Sequence, residues 1–169
     1  MKNYIIELRN SLKPELRNMP LFQNGSAIIV ENEKDELLLE ERVDRNLWCI
    51  PGGLQELGET FEEVAKRELF EETGLIGELE DFELIKVVSG KSRKNSYPNG
   101  DVVYNNTVLF VIRKYKGKLN CDYEEVIDTG KEFVSQKESK NLKFFSKENL
   151  PENLMDQDLI TIYFKYKDK

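Results

Sequence analysis

The sequence predicts an α/β sandwich, in which a central layer of strands is flanked by helices. Residues 80–90 and 102–115 alternate apolar and polar side chains, as strands with one buried face do. Residues 61–73 instead repeat apolar side chains at helical spacing, and the apolar segments 24–32 and 36–42 are typical of two further strands. No internal repeat, low-complexity tract or linker interrupts this mixture, so we expect these elements to share one core.

Two prolines near the N-terminus separate a first short helix from the rest of the chain. The helix is predicted over residues 2–12, and Pro14 and Pro20 break regular structure after it. We therefore predict a helical extension over 1–20 and a single domain over 21–169. A domain of this length can build a complete hydrophobic core.

Turn-forming residues divide the predicted domain further. Residues 32–35 form a turn that joins the first two strands into a predicted hairpin. The polar segment 91–101 carries Pro98 and Gly100 and is predicted to be a loop. The other segments are an irregular stretch at 43–59, an unassigned charged stretch at 116–140, a short strand at 142–145 and a final helix at 156–166.

The composition excludes several classes of function. The formal net charge is −7, whereas binding to duplex nucleic acid needs clustered Lys and Arg, so we expect no such partner. The sequence has no histidine, which removes the commonest general base and the commonest zinc ligand. Cys49 and Cys121 form no CxxC pair and are expected to be reduced thiols. Carboxylates remain as metal ligands, and they favour hard cations such as Mg²⁺, Mn²⁺ and Ca²⁺.

The apolar residues also bear on the location of the protein. No apolar run approaches the roughly 20 residues that a membrane span needs. Residues 1–10 are charged throughout and lack the apolar centre of a signal peptide. We therefore expect a cytoplasmic protein without a membrane partner.

The helix predicted over 61–73 has well-marked ends. Thr60 is a suitable N-cap, and Glu63 lies three residues further on, which completes a capping box. Gly74 stands where a left-handed C-terminal cap belongs.

The anomaly of this helix is a cluster of acidic residues on its apolar side. Glu68 and Glu72 lie one turn apart in the middle of the apolar arc, and Glu71 lies at its edge. Like charges at this spacing repel, and the burial of ionised carboxylates is costly. A bound divalent cation would resolve the conflict, whereas the alternative is a structural, Glu-rich helix without a metal. The apolar arc consists of Phe61, Val64, Ala65 and Leu69.

The residues around this cluster have a distinctive spacing. Between Gly52 and Leu75 the chain reads GGLQELGETFEEVAKRELFEETGL. This segment resembles the Nudix box, Gly-x5-Glu-x7-Arg-Glu-U-x-Glu-Glu-x-Gly-U, where U is a bulky aliphatic residue. With the segments upstream and downstream, the resemblance covers about residues 22–165. All nine fixed positions match: Gly53, Glu59, Arg67, Glu68, Leu69, Glu71, Glu72, Gly74 and Leu75.

The resemblance implies a fold and a reaction. The fold is the Nudix-type α/β/α sandwich with a mixed sheet, in which the box forms a loop–helix–loop. The reaction is the metal-dependent hydrolysis, with Mg²⁺ or Mn²⁺, of the diphosphate linkage in a nucleoside diphosphate linked to a moiety X. A homodimer, common in the family, is a further expectation. The implied metal ligands are Glu68, Glu71, Glu72 and the Gly53 carbonyl.

Supporting and catalytic roles follow from the same resemblance. Arg67 is expected to pair with Glu59 or with a ligand carboxylate and to fix its orientation, without contacting the phosphate. Many members of the family add a carboxylate from outside the box, and Glu138, six residues before Phe144, matches it best. The general base is either Glu68 or Glu138, unless the metal makes a base unnecessary. Alternatives for the added carboxylate are Glu132, Glu125 and Glu124.

The identity of the substrate is less well indicated. Arg42 ends a strand and is expected to hold a distal phosphate, unless it is a solvated surface residue. Trp48 is a candidate for stacking on a base, unless it packs in the core. Tyr97 and Pro98 lie too far beyond the box to match substrate-specific patterns of the family. We expect nucleoside diphosphate sugars such as ADP-ribose ahead of nucleoside triphosphates, including oxidised ones. The alternative is a non-catalytic ligand sensor or adaptor.

Overall fold

The computed structural model describes residues 4–16, 19–43, 46–96, 100–122, 124–128, 133–137 and 139–169. The helices are α1 (Tyr4–Ser11), α2 (Phe61–Thr73) and α3 (Gln157–Lys167). The longer strands are β1 (Leu21–Val30), β2 (Leu37–Arg42), β6 (Glu83–Val88), β8 (Val102–Ile112), β10 (Glu124–Asp128), β11 (Phe133–Lys137) and β12 (Ser139–Phe145). The shorter strands are β3 (Trp48–Cys49), β4 (Gly52–Leu54), β5 (Leu75–Ile76), β7 (Lys94–Ser96) and β9 (Lys116–Gly117).

Two sheets form the middle of the molecule. The larger sheet has the strand order β4-β1-β8-β6, and β7 also pairs with β8. β1 and β8 run parallel, whereas the other pairs of this sheet are antiparallel, so the sheet is mixed as expected. The smaller sheet has the order β12-β2-β3 and is antiparallel.

The core lies on both faces of these sheets. Successive residues of β1 alternate between the two faces, so that Ile28 packs with helix α2 and Ile29 packs with helix α3. Because both faces are covered, the strands contain runs of consecutive buried apolar residues. The structure therefore confirms the predicted α/β/α arrangement. The helices contribute Ala65 and Leu69 on one side and Leu159, Ile160 and Tyr163 on the other.

The predicted hairpin between the first two strands is wrong for most of its length. Glu31 and Leu37 form a single antiparallel bridge, and the Asn32 amide donates to the Glu36 carbonyl at 3.0 Å. Beyond that bridge the strands belong to different sheets. The physical reason is that both edges of β1 are already hydrogen-bonded, one to β4 and the other to β8.

The segment predicted as a loop over 91–101 is partly ordered. Residues Lys91–Arg93 form a 3₁₀ turn, and β7 then pairs with β8 through Asn95 and Val103. The strand was not predicted from the sequence, because β7 is polar and has few apolar side chains to bury. The unassigned stretch 116–140 contains β9, β10, β11 and the start of β12. Tyr97 and Pro98 lie outside the described residues.

The first and last helices were predicted within two residues of their observed ends. Helix α1 is anchored by Arg9, which is only 6% exposed. Its guanidinium pairs with Asp101 at 3.1 Å and donates to the Val102 carbonyl at 2.8 Å, so α1 rests on the start of β8. Among the described residues, none of the helices has the length and apolar character to span a bilayer.

Candidate active site

The helix that carries the acidic cluster begins and ends as predicted. The Glu63 amide donates to the Thr60 hydroxyl at 3.2 Å, and the Thr60 amide donates to the Glu63 carboxylate at 2.7 Å. Gly74 takes the left-handed conformation, with φ 72°, and ends α2. The Ser26 hydroxyl donates to the Phe61 carbonyl at 2.7 Å. These contacts fix α2 relative to β1.

Glu72 is buried where α2 meets the strand β4. Glu72 is only 6% exposed, and its Oε2 atom accepts a hydrogen bond from the Gly52 amide at 2.7 Å. A hydrogen bond from a backbone N–H holds a carboxylate in a fixed orientation. This bond therefore ties the last turn of the helix to the glycines before it.

Gly53 and Glu68 are in direct contact. A Cβ atom at position 53 would overlap the Glu68 carboxylate, so only glycine leaves room for it. On the other side, a Cβ at position 25 would overlap the Gly53 carbonyl oxygen. The close approach of β1, β4 and α2 thus brings the Gly53 backbone and the Glu68 oxygens into one small region.

Arg67 connects three of the predicted carboxylates. Its Nε and Nη2 atoms donate to the two oxygens of Glu59, at 2.7 and 2.9 Å. Its Nη1 atom donates to Glu68 at 2.6 Å and to Glu71 at 3.3 Å. The bidentate bond from Arg67 holds the pKa of Glu59 below its usual range, and Glu59 raises the pKa of Arg67 in return. The Leu54 carbonyl accepts the remaining bond, at 3.0 Å.

The donor set suits a hard divalent cation. Glu68, Glu71 and Glu72 offer carboxylate oxygens from α2, and the Cα side of Gly53 lies against Glu68. In the part of the chain that the structure describes, no three acidic or cysteine side chains converge into a ready metal-binding group. Arg67 instead supplies the positive charge to Glu68 and Glu71. The residues fit the cation by their chemistry, with Arg67 as the present counter-ion.

A cavity of about 270 Å³ opens beside the two glycines of β4. Arg42 lies in its wall. Trp48 does not line it: the indole packs edge-to-face on Phe145, with ring centroids 4.9 Å apart, and joins the core beside α3. The polar lining consists of Gln23, Ser26, Glu40, Arg42, Arg93, Asn105, Asn106, Thr107 and Asp156.

Two buried acids in this wall were missed by the sequence analysis. Glu40 is 1% exposed and accepts hydrogen bonds from the Cys49 thiol, at 3.0 Å, and from the Ser139 hydroxyl. Burial raises the pKa of Glu40 and raises the pKa of Asp156 to about 6. The available signal was the position of Glu40, which continues the buried run Leu37–Leu39 in β2.

The structure brings most, though not all, of the predicted site residues together. Gly53, Glu59, Arg67, Glu68 and Glu71 lie together beside the middle of α2, with Glu72 one turn after Glu68. Of the candidates outside the box, Glu124 is the one whose side chain the structure describes. Glu132, Glu138 and the side chain of Glu125 are outside the described residues, and Glu124 is exposed on β10.

Known proteins resemble this chain in sequence. The family model described as NUDIX domain matches residues 21–159. An ADP-ribose pyrophosphatase of Methanocaldococcus jannaschii is 30% identical over 143 residues, which cover 83% of this chain and 72% of that protein. A Bacillus subtilis protein named provisionally as an 8-oxo-dGTP diphosphatase is 46% identical over 54 residues, which cover 32% of this chain. The chain spans only 36% of the length of that second relative.

Solved structures resemble the fold. A MutT NUDIX hydrolase from Burkholderia pseudomallei superposes with a TM-score of 0.62 at 20% identity, over 84% of this chain and 96% of that one. A MutT protein from Bacillus halodurans gives a TM-score of 0.60 at 23% identity, over 85% of this chain and 82% of that one. The matched family model spans most of the chain and includes the whole segment from Gly53 to Leu75. The chain therefore belongs to the Nudix family.

Proposed function

We propose that this protein is a pyrophosphohydrolase that uses Mg²⁺ or Mn²⁺ to cleave the diphosphate linkage of a nucleoside diphosphate joined to a moiety X. The observation that carries the proposal is that Glu72 is buried against the Gly52 amide, while the half-buried Glu68 lies against the Gly53 backbone. A helix selected only for stability would place apolar residues there, because buried carboxylates lower the free energy of unfolding.

The box residues divide the work between ligation and positioning. Glu68, Glu71, Glu72 and the Gly53 carbonyl would hold the cation. When bound, a divalent cation supplies the positive charge that offsets the phosphate oxygens and activates water. Arg67 holds the carboxylates of Glu59 and Glu68 at fixed positions, so it acts through them rather than on the phosphate.

Proton transfer from the attacking water falls to a carboxylate. Glu68 lies beside the Gly53 backbone, within the same region as the other ligands, and so is one candidate for the general base. Glu138 is the other, and it lies outside the described residues. The two assignments differ in a testable way, since only Glu68 is also proposed as a metal ligand.

The rest of the substrate would lie in the cavity beside Gly52 and Gly53. Arg42 is proposed to contact a distal phosphate, because it lines this cavity next to the proposed metal site. The stacking role of Trp48 stays a prediction, and its contact with Phe145 favours the packing alternative. The homodimer, the cytoplasmic location and the division into an extension over 1–20 and a domain over 21–169 also stay predictions.

Among substrates, we propose ADP-ribose or another nucleoside diphosphate sugar ahead of nucleoside triphosphates. The similarity to the Methanocaldococcus jannaschii protein supports this order, since that alignment covers most of both chains. The similarity to the protein of Bacillus subtilis supports triphosphates, over a much shorter segment.

A substrate panel tests the proposed function. ADP-ribose, other nucleoside diphosphate sugars and nucleoside triphosphates are incubated with the protein and Mg²⁺ or Mn²⁺, and phosphate is measured after phosphatase treatment. The proposal expects metal-dependent release from at least one nucleoside diphosphate derivative. No release from any of them, with nucleotide binding still measurable, would support the alternative of a ligand sensor.

A further inference from the structure

The side chains that form one wall of the cavity change from apolar to polar along two paired strands. β1 and β8 run side by side, and alternate residues on one face of each strand point toward α3. The side chains of this face that lie under α3 are apolar, whereas the next ones toward the start of both strands are small or polar. A face that only needed to be buried would stay apolar. The paired residues, from the core outward, are Ala27 with Leu109, Gly25 with Thr107 and Gln23 with Asn105.

Arg93 covers the polar end of this face. Its Nη1 atom pairs with Asp158 at 3.0 Å, and its Nη2 atom donates to the Thr107 hydroxyl at 3.2 Å. These contacts hold the guanidinium against β8 and the start of α3. The buried Nε–H group takes part in neither of these bonds.

The cavity wall contains one donor and one acceptor that are not satisfied. Within the described ranges, the buried Arg93 Nε and Asn105 Oδ1 atoms have no hydrogen-bond partner. Both residues line the cavity. Buried polar atoms are nearly always hydrogen-bonded, because an unpaired one lowers the free energy of unfolding. Two such atoms in the same wall indicate a partner that is bound only part of the time.

We propose that Arg93 and Asn105 form a recognition pair for a nucleobase, with Nε–H donating to a ring or carbonyl acceptor and Oδ1 accepting from an adjacent N–H. This inference rests on the proposed function and assigns the cavity to the base of the nucleotide. Every nucleobase has an edge on which a donor lies beside an acceptor. A phosphate or a phosphorylated sugar lacks such a planar edge, so the pair selects nucleotides over base-free polyphosphates.

The arrangement also restricts how the base is read. Arginine commonly contacts guanine through two donors directed at O6 and N7. Here the unsatisfied atoms are one donor, Arg93 Nε, and one acceptor, Asn105 Oδ1, while Nη1 and Nη2 already bind Asp158 and Thr107. The pair therefore reads an edge with one donor and one acceptor, of the kind used in base pairing, rather than an edge with two acceptors.

Direct binding without a metal tests the pair. The dissociation constants of AMP, GMP, CMP, UMP and ribose 5-phosphate are measured by NMR titration of the wild type and of Asn105→Leu. We expect the wild type to bind at least one mononucleotide about tenfold or more tightly than ribose 5-phosphate, and Asn105→Leu to reduce that ratio to about threefold or less. Asn141→Leu, an exposed asparagine of β12, is the matched control and should keep the ratio.

A second variant covers the case in which Asn105→Leu does not fold. Arg93→Lys keeps the positive charge near Asp158 but lacks the Nε–H group, and it should lose the same selectivity. A wild type without preference for mononucleotides would overturn the inference, and so would selectivity that survives in both variants. Failure of the proposed hydrolysis would appear separately, as absent turnover in the presence of metal with the binding preference intact.

Discussion

The carboxylate of Glu68 occupies the space that a side chain on Gly53 would need. The two residues are fifteen positions apart in the chain, yet the backbone of one and the side chain of the other are in contact. This contact explains why a glycine stands in the middle of β4. It also links the position of one proposed metal ligand to the backbone that provides another.

A substitution at Gly53 should therefore impair the site more than the fold. Gly53→Ala would push the Glu68 carboxylate away from its position and should lower kcat by roughly 100-fold. Gly58→Ala is the control, since nothing lies within 4 Å of a Cβ at that position, although its φ of 93° adds some strain. Steady-state kinetics and thermal unfolding of both variants check the prediction. Equal activity of the two variants would show that the Gly53–Glu68 contact has no role in catalysis.

Arg67 should matter for stability mainly when no metal is bound. Arg67→Ala leaves Glu59, Glu68 and Glu71 close together without their shared cation. We expect the free energy of unfolding to fall by about 2 kcal/mol, and Mg²⁺ to restore part of that loss by binding to the freed carboxylates.

Urea unfolding with and without Mg²⁺ measures this effect. Lys66→Ala is the control, because Lys66 is the neighbouring cation on the same helix and pairs with the exposed Glu78. Its stability should change little and should respond to Mg²⁺ as the wild type does. An Arg67→Ala protein that is as stable as the wild type without metal would refute the proposed positioning role.

Asp156 should make the protein less stable as the pH rises from about 4 to about 6. Burial raises its pKa to about 6, from an ordinary value of 3.8. The unfolded chain thus loses this proton at a lower pH than the folded chain does, so the free energy of unfolding falls through that interval. Asp156→Asn should be more stable than the wild type near pH 8, by an amount on the order of 2 kcal/mol, and similar to it near pH 4.

Chemical unfolding at both pH values checks this prediction. The amide oxygen of asparagine can still accept the bond that the Ile50 amide donates at 3.3 Å, so the loop contact should survive. Glu152→Gln serves as the control, since Glu152 is an exposed acid close to Asp156 in sequence. If the free energies of unfolding of the wild type and Asp156→Asn differ by the same amount at both pH values, the titration of the Asp156 carboxyl is not the cause of the difference.

The N-terminal helix should contribute to stability rather than to self-association. Arg9 is buried against Asp101 and the Val102 carbonyl of its own chain. A protein that begins at Pro20, or one that carries Arg9→Leu, should therefore unfold at a lower temperature and keep the oligomeric state of the full chain. Gel filtration and thermal unfolding test both statements. A dimer that dissociates on removal of the helix would assign α1 to the interface instead.

Local chemistry explains which parts of the molecule could be predicted. Helix α2 could be placed from Thr60, Glu63 and Gly74, because caps act within a few residues. The burial of Glu72 and the half-burial of Glu68 followed from their spacing, since both lie on the apolar side of that helix.

Contacts between distant residues explain the errors. The pairing of β1 with β8 replaced the expected hairpin, and no local pattern encodes a parallel partner so far along the chain. Glu40 is satisfied by Ser139, which is 99 residues away, so its burial in the cavity wall could not be deduced from β2 alone. The unsatisfied Nε atom of Arg93 and Oδ1 atom of Asn105 likewise could not be predicted, because their surroundings depend on the contact between β8 and α3.

The central claim is that Glu68, Glu71 and the buried Glu72 hold a metal for catalysis. The most direct measurement compares Glu72→Gln with Glu62→Gln, an exposed glutamate on the same helix. Glutamine can still accept the bond from the Gly52 amide, so both variants should fold like the wild type. We predict that Glu72→Gln loses metal-dependent hydrolysis by roughly 100-fold or more, while Glu62→Gln keeps it. A Glu72→Gln protein that turns over substrate at the wild-type rate would contradict the account.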